Sequence, residues 1–355
     1  MFVNYKITPE TVPSTGIMHV NHQKNFRSGH VGHALLEYKK GCVIAFHSNC
    51  SGTRNENAPG HNGFGWVEYM RSTDGGITWD DGKVLQYSFD AFINQPFTVS
   101  CDRAVSTKEN EIIVFCQRNL EPNGWEPFLQ PVVLRSEDGG ETWSDPVVVC
   151  DEKNRIYDAM VYNGVIYVLM IDTGWKIETP ENGYYLYKSE DGGRTFSQVS
   201  RIPASVGNAY GNMEIMDDGA LICYFYHEDD EYNMDYHISR DMGVTWTEEG
   251  KSYVAKRIRN PQVAKVKGGY ILHGRSGCYS ELPRNLVLYT SEDGLHWDAG
   301  VYICTAESHG AYYSNNLVMN REDGSQRVLI QSSVPYVPYD HSSRVNIAHW
   351  FLDIT

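Results

Sequence analysis

Short runs of alternating apolar and polar residues organise this chain, and helical spacings do not stand out. GWVEYMRS, PVVLRS, YYLYKS, MDYHIS and LVLYTS each place alternate residues on opposite faces, the period of a half-buried β-strand. Upstream of each lies a more apolar stretch with a turn in its middle: HALLEYKKGCVIAF, FTVSCDRAVSTKENEIIVFC, DAMVYNGVIYVLMI, NMEIMDDGALICYF and PQVAKVKGGYILHG. These read as hairpins. Downstream of each comes one recurring turn: RSTDGGITW (71–79), RSEDGGETW (135–143), KSEDGGRTF (188–196), ISRDMGVTW (238–246) and TSEDGLHW (290–297), the last one residue short. Its carboxylate can accept backbone N–H groups, its glycines can supply positive φ, and the closing aromatic can anchor the turn to the sheet.

Asp74, Asp138, Asp191, Asp241 and Asp293 are separated by 64, 53, 50 and 52 residues, so each repeat is one supersecondary unit. Strand, strand, strand, Asp turn, strand is one four-stranded antiparallel propeller blade. A sixth hairpin, NNLVMNREDGSQRVLIQSS, followed by RVNIAHWFLDIT, supplies three strands without an Asp turn. The N-terminal GIMHVN is the expected fourth, an exchange that would cover an open sheet edge. The expected fold is all-β, a six-bladed β-propeller with five Asp turns, in a single domain over 1–355.

Composition narrows the chemistry. Lys and Arg number 30 against 45 acids, a net charge of −15, which disfavours nucleic acid and anionic membrane as partners. The N-terminus, MFVNYKITPETVPSTG, shows neither a basic start nor an apolar core, so a cytoplasmic location is expected unless a signal has been removed. The eight cysteines lack C-x-x-C spacing and are expected as buried thiols, with Cys101 and Cys116 placed to face each other on neighbouring strands. No H-E-x-x-H or Cys/His zinc spacing occurs, so neither metal nor cofactor is expected. The 24 tyrosines and 8 tryptophans suit a sheet-rich, sugar-binding protein.

In a propeller the ligand meets the starts of the innermost strands and the loops returning from the second strands. Repeat register gives His30 and His33, Gln95, Tyr157 and Asp158, Tyr210 to Glu214, Arg259 and Asn260, and Tyr312 to Asn316 at those starts. The returning loops add His47, Asn49, Arg54, Arg118, Asp172, His227 and Arg275, and Arg284 begins a third strand. A polar, aromatic and cationic set in an acidic protein suits a polyhydroxylated, anionic ligand: an oligosaccharide or glycan.

The five turns resemble Asp boxes, also called BNR repeats, and the chain resembles a six-bladed propeller of the sialidase superfamily. That resemblance implies a glycoside hydrolase removing a terminal acidic sugar, with a Tyr nucleophile deprotonated by a Glu. AYYSNNLV is similar to the segment carrying the Tyr, which implies Tyr313, or else Tyr312. GNMEIMDDGALI is similar to the segment carrying the Glu, which implies Glu214, and PRNLVLYTSEDG to one carrying a substrate-binding Arg, here Arg284. Arg275, Arg54, Arg118, His47, His227, Gln95, Tyr210 and Asn260 complete the expected substrate contacts. Asp158, His33 or His30 would protonate the leaving oxygen.

Two of the family's three arginines are not in register. His30-Val31-Gly32-His33-Ala34-Leu35-Leu36 stands where the first is expected, and His227 stands at the second. The loop SGTRNENAPGHNGFGW does not resemble the family's acid/base loop. His19, His22, His30 and His33 crowd the first blade, with His47, His61 and His227 as further candidates for the same mouth. A second reading is therefore a polysaccharide lyase, in which His or Tyr takes a proton from a uronate and Arg stabilises the enolate. A third is a non-catalytic glycan-binding propeller.

Overall fold

The alternating runs form the strands, and each Asp turn joins the third strand of a blade to its fourth. The computed structural model describes residues 2–52, 63–94, 97–120, 129–172, 183–205, 208–306, 311–337 and 344–355. Its sheets are the four-stranded antiparallel blades of a six-bladed β-propeller. The chain divides into two compact units, the larger parts of which are 22–201 and 202–341, the latter joined by both chain ends.

The unit around 22–201 holds the first three blades, whose first strands are Leu35–Lys39, Thr98–Val105 and Asn154–Tyr162. Its second strands are buried on both faces: Ile44, Phe46, Ile112 and Val114 are fully buried with Val99 in one cluster, and Ile113, Phe115, Ile166 and Val168 are fully buried in the next. Cys101 and Cys116 do face each other, Sγ to Sγ 3.5 Å, and all eight cysteines are free thiols. The α-helix Gln86–Asn94 has no signal in the sequence. Its nine residues bury only Ser88 and Ala91, too short a stripe to show as a period.

The other unit holds the last three blades, with first strands Asn208–Ile215, Arg259–Val266 and Ser314–Asn320. In the last blade, Gln326–Pro335 pairs with Val345–Ile354, and the free edge of Val345–Ile354 is covered by the N-terminal segment. Ile17–Val20 pairs there as the sequence suggests, but Tyr5–Thr8 pairs further along the same edge, so the fourth strand comes in two pieces. Trp350 is fully buried beneath them and donates its Nε1 hydrogen to Ser14 Oγ at 3.0 Å.

The repeat turns behave as their sequence dictates. Ser136 Oγ donates to Asp138 Oδ1 at 2.7 Å, the Glu141 and Thr142 amides donate to Oδ1, and the Thr142 hydroxyl donates to Oδ2 at 2.6 Å. In the short copy His296 replaces the Thr, its Nδ1 lying 2.7 Å from Asp293 Oδ2. The Thr245 hydroxyl and amide hold the Asp241 carboxyl down to about 2, so it stays a charged acceptor at any physiological pH.

Candidate active site

First strands in this fold are not straight. The register slips by one residue at Asp102, Tyr157 and Tyr210, and between Arg259 and Gln262 two residues, Asn260 and Pro261, go unpaired. A β-bulge re-aims the side chain it carries. Tyr210, Asn260 and Tyr312 also have positive φ, at 23°, 55° and 68°, a backbone state that Tyr rarely adopts.

In the unit of the last three blades these irregular strand starts gather tyrosines and arginines. The Arg275 guanidinium lies 5.1 Å over the Tyr313 ring, and the Tyr313 and Tyr210 rings are 6.1 Å apart. Tyr210 stacks in turn on Tyr226, ring centres 6.2 Å apart. Arg259, directly opposite Arg275 in the sheet, donates from Nε and Nη2 to the Tyr226 hydroxyl at 3.3 and 3.2 Å. Its Nη1 donates to Cys278 Sγ at 2.9 Å, and Glu231 Oε1 lies 3.4 Å from its Nε. Burial pushes the Tyr226 phenol up, while the charge and hydrogen bonds of Arg259 and the charge of Arg275 act the other way. Tyr313 and Arg275 are 8% and 5% exposed, so an anion reaching them would meet a cation largely stripped of water. Tyr226 and Glu231 were missed from the sequence; the only signal was the aromatic end of the YFYHED run.

Four expected catalytic roles require correction. Tyr312 points into the core, where its hydroxyl donates to the Ala306 carbonyl at 2.7 Å and accepts from the Ala306 amide at 2.9 Å. It is a packing residue, and burial raises its phenol far above the ordinary range. Glu214 sits near the turn end of its strand, opposite Ile222, while Tyr210 lies at the other end, roughly 13 Å away at strand rise. Its oxygens accept from the Ile215 and Lys265 amides, both at 2.8 Å. Two residues earlier, Asn212 Oδ1 accepts from the Val263 amide at 2.8 Å. Both side chains thus satisfy outward N–H groups along the edge of Arg259–Val266, a structural task that removes Glu214 from the chemistry. Replacing Glu214 with Ala is expected to cost about 1–2 kcal/mol in urea unfolding, whereas Glu214→Gln should keep turnover within about threefold of wild type.

The other two corrections lie in the unit of the first three blades. Asp158 Oδ1 is 2.6 Å from Arg103 Nε and accepts the Ala159 amide, so its carboxylate is engaged in a buried ion pair within the sheet. His33 is fully enclosed, its Nε2 lying 3.2 Å from the His30 carbonyl, and burial brings its pKa to about 4. At neutral pH it is uncharged and cannot act as the acid. His30, 1% exposed, and His47 belong to the same enclosed cluster. The His47 and His22 rings are 5.8 Å apart, and His47 Nε2 is 3.5 Å from Glu68 Oε2. Glu68 also accepts from Asn49 Nδ2 and Trp66 Nε1 at 2.7 and 2.8 Å, and Arg27 Nε donates to Asn49 Oδ1 at 3.0 Å.

Arg118 Nε donates to the Gln130 carbonyl at 2.7 Å, with its guanidinium 5.7 Å from the Phe97 ring. In the other unit, His227 ends its strand and accepts the Asp229 amide at 3.2 Å through Nδ1. Arg284 is half-buried with φ 57°, its amide bonded to the Ser276 carbonyl. Arg54, Gln95 and His61 lie outside the described residues, as does the side chain of Asp172. Among the described residues no group of three or more His, Cys, Asp or Glu could hold a metal ion.

A family model described as a BNR repeat-like domain matches residues 132–335, more than half of the chain. The chain belongs to the BNR repeat-like family. A sialidase of Paraclostridium sordellii is 26% identical over 273 residues, 70% of this chain and 61% of that protein, so the match spans about three fifths of the relative. Two solved structures share the fold of this BNR repeat-like protein at 16% identity and TM-score 0.68. A protein of unknown function from Dyadobacter fermentans matches over 96% of this chain and 98% of its own. The Hadza microbial sialidase Hz136 matches over 94% and 67%.

Proposed function

We propose that this BNR repeat-like protein is a carbohydrate-active enzyme that removes a terminal acidic sugar from a glycan, with Tyr313 at the reacting carbon and Arg275 meeting the sugar's carboxylate. The observation that carries this reading is the Arg275 guanidinium 5.1 Å over the Tyr313 ring at the start of a first strand. A cation in that position favours the phenolate that a nucleophilic Tyr must become, and it pairs with a carboxylate on the substrate. The sialidase relative supports hydrolysis as the reaction. Arg259 is held by Tyr226, Cys278 and Glu231, so its role is to fix the Tyr226 edge of the site. The reading is tested by initial rates on an acid-capped oligosaccharide and on its methyl ester. Esterification should lower kcat/KM at least about tenfold in wild type and by much less in Arg275→Gln. Equal rates on acid and ester by wild type would contradict it.

One observation favours elimination as a second reading. With Glu214 committed to backbone amides, the expected proton acceptor for Tyr313 is gone. A Tyr flanked by Arg can itself serve as the base that takes a proton beside a uronate carboxylate, with Arg stabilising the enolate. Elimination adds no water and leaves an unsaturated sugar, so product mass separates the two reactions.

A further inference from the structure

Asn260 lies in the bulge that opens the strand Arg259–Val266, between Arg259, which faces Arg275, and Gln262, which faces His273. It is 3% exposed, and among the described residues neither its Nδ2 nor its Oδ1 has a hydrogen-bond partner. Native proteins pair nearly all buried polar side-chain atoms, and an amide with both ends unpaired calls for an explanation. The residue is also held at φ 55°, a left-handed state that Asn tolerates better than most residues. The neighbouring strand fixes that shape. A Cβ on Gly274 would fall 2.8 Å from the carbonyl oxygens of both Arg259 and Asn260, so the bulge is pressed flat against a glycine. Two costs therefore coincide at one position: a disfavoured backbone and a buried amide that the fold does not satisfy. Both are local to the pair Arg259 and Arg275.

We infer that Asn260 is a specificity-determining residue that reads a vicinal hydroxyl pair on the acidic sugar. Its Nδ2 donates to one hydroxyl oxygen and its Oδ1 accepts from the next hydroxyl. A side-chain amide offers one donor and one acceptor in a plane, and adjacent ring hydroxyls offer the complement. An apolar carboxylic acid meets the arginine and leaves the amide unpaired. Sites built on such unpaired groups reject analogues that lack the partner strongly. This inference rests on the acidic-sugar reading above and narrows its substrate class to acids with adjacent free hydroxyls.

The test uses two probes on the full chain, glucuronate and cyclohexanecarboxylate, in titration calorimetry with wild type, Asn260→Gly and Asn260→Asp. Gly tolerates the left-handed backbone, and Asp keeps the side-chain shape while exchanging the donor for an acceptor. Wild type is expected to bind glucuronate at least about tenfold more tightly than cyclohexanecarboxylate. Asn260→Gly should bind the two alike, with the cyclohexanecarboxylate affinity unchanged and a Tm within about 2 °C of wild type. Asn260→Asp should lose glucuronate affinity at least as far. Retained discrimination by both variants would overturn the inference while leaving the acidic-sugar reading in place. A fall in Tm of Asn260→Gly with discrimination retained would do the same and assign Asn260 a structural role. Failure of wild type to bind either probe would overturn both.

Discussion

Tyr313→Phe is expected to lower kcat by about a thousandfold or more, with KM within about threefold of wild type. That corresponds to about 4 kcal/mol of lost transition-state stabilisation, the scale of removing a nucleophile or base. The substitution deletes one hydroxyl and keeps the ring. Arg275 can still lie over the face, and Tyr210 can still pack at 6.1 Å. The fold should therefore survive, which far-ultraviolet circular dichroism and Tm will check. Stopped-assay kinetics on an acid-capped oligosaccharide give the two parameters separately. A rise in KM with kcat unchanged would reduce Tyr313 to a wall of the site. Arg275→Lys is a useful companion, because an ammonium keeps the charge and loses the forked geometry, so the loss should fall mainly on KM.

The unit carrying the first three blades is expected to lose stability steeply as pH falls below 6.5. Burial, with the charge of His47 beside it, brings His22 down to about 3, and burial brings His33 down to about 4. In the unfolded chain both regain an ordinary imidazole pKa near 6.5. Above that value both states are neutral and the histidines add no pH dependence. Below it the unfolded chain binds protons that the folded chain refuses, so unfolding becomes easier with each step down. The groups facing His22 are His47, Glu68, Arg27 and His33, two more imidazoles and one cation against one carboxylate. At about 1.4 kcal/mol per pH unit for each of the two groups, the loss reaches about 5 kcal/mol by pH 4.5. That is a large share of the stability of a typical domain. Urea midpoints followed by tryptophan fluorescence at pH 7.5, 6.5, 5.5 and 4.5 measure it, and His33→Gln should roughly halve the slope between pH 6.5 and 4.5. A midpoint unchanged down to pH 4.5 would contradict the assignment of these rings as buried and neutral.

Architecture was legible in this sequence because it is repeated. Five copies of one turn, each with the same Ser, Asp and Gly, fix where the third strand ends in five of the blades, and alternation fixes what precedes it. The blade count followed from spacing. The helix Gln86–Asn94 and the strand Tyr5–Thr8 were not legible, since each is short and owes its form to the sheet it packs on. The site was half legible for a related reason. Repeat register locates strand starts to within a residue, and Tyr210, Arg259, Asn260 and Tyr313 do lie in or beside such starts, with Arg275 opposite Arg259. A bulge shifts the face of every residue beyond it, and no residue type announces one with certainty. Tyr312 and Tyr313 could not be separated without the backbone, and φ 68° at Tyr312 is what turns the first into the core and leaves the second at the strand start. Glu214 misled for a different reason. A carboxylate in an apolar run signals that something pays its desolvation, and here the partners are main-chain amides at 215 and 265, which carry no signature in sequence.

The most direct test of the central claim, that Tyr313 and Arg275 form the site where an acidic sugar is cleaved, is mass spectrometry of products from one mixed panel. The panel contains sialylated, uronate-capped and neutral-capped oligosaccharides, incubated with wild type and with Tyr313→Phe. Wild type is expected to cleave an acid-capped member and spare the neutral ones, with product masses summing to substrate plus one water, and Tyr313→Phe is expected to leave that member intact. Products summing to the substrate alone would keep the site and replace hydrolysis with elimination. Cleavage of the same member by Tyr313→Phe at the wild-type rate, or cleavage confined to neutral caps, would contradict the account.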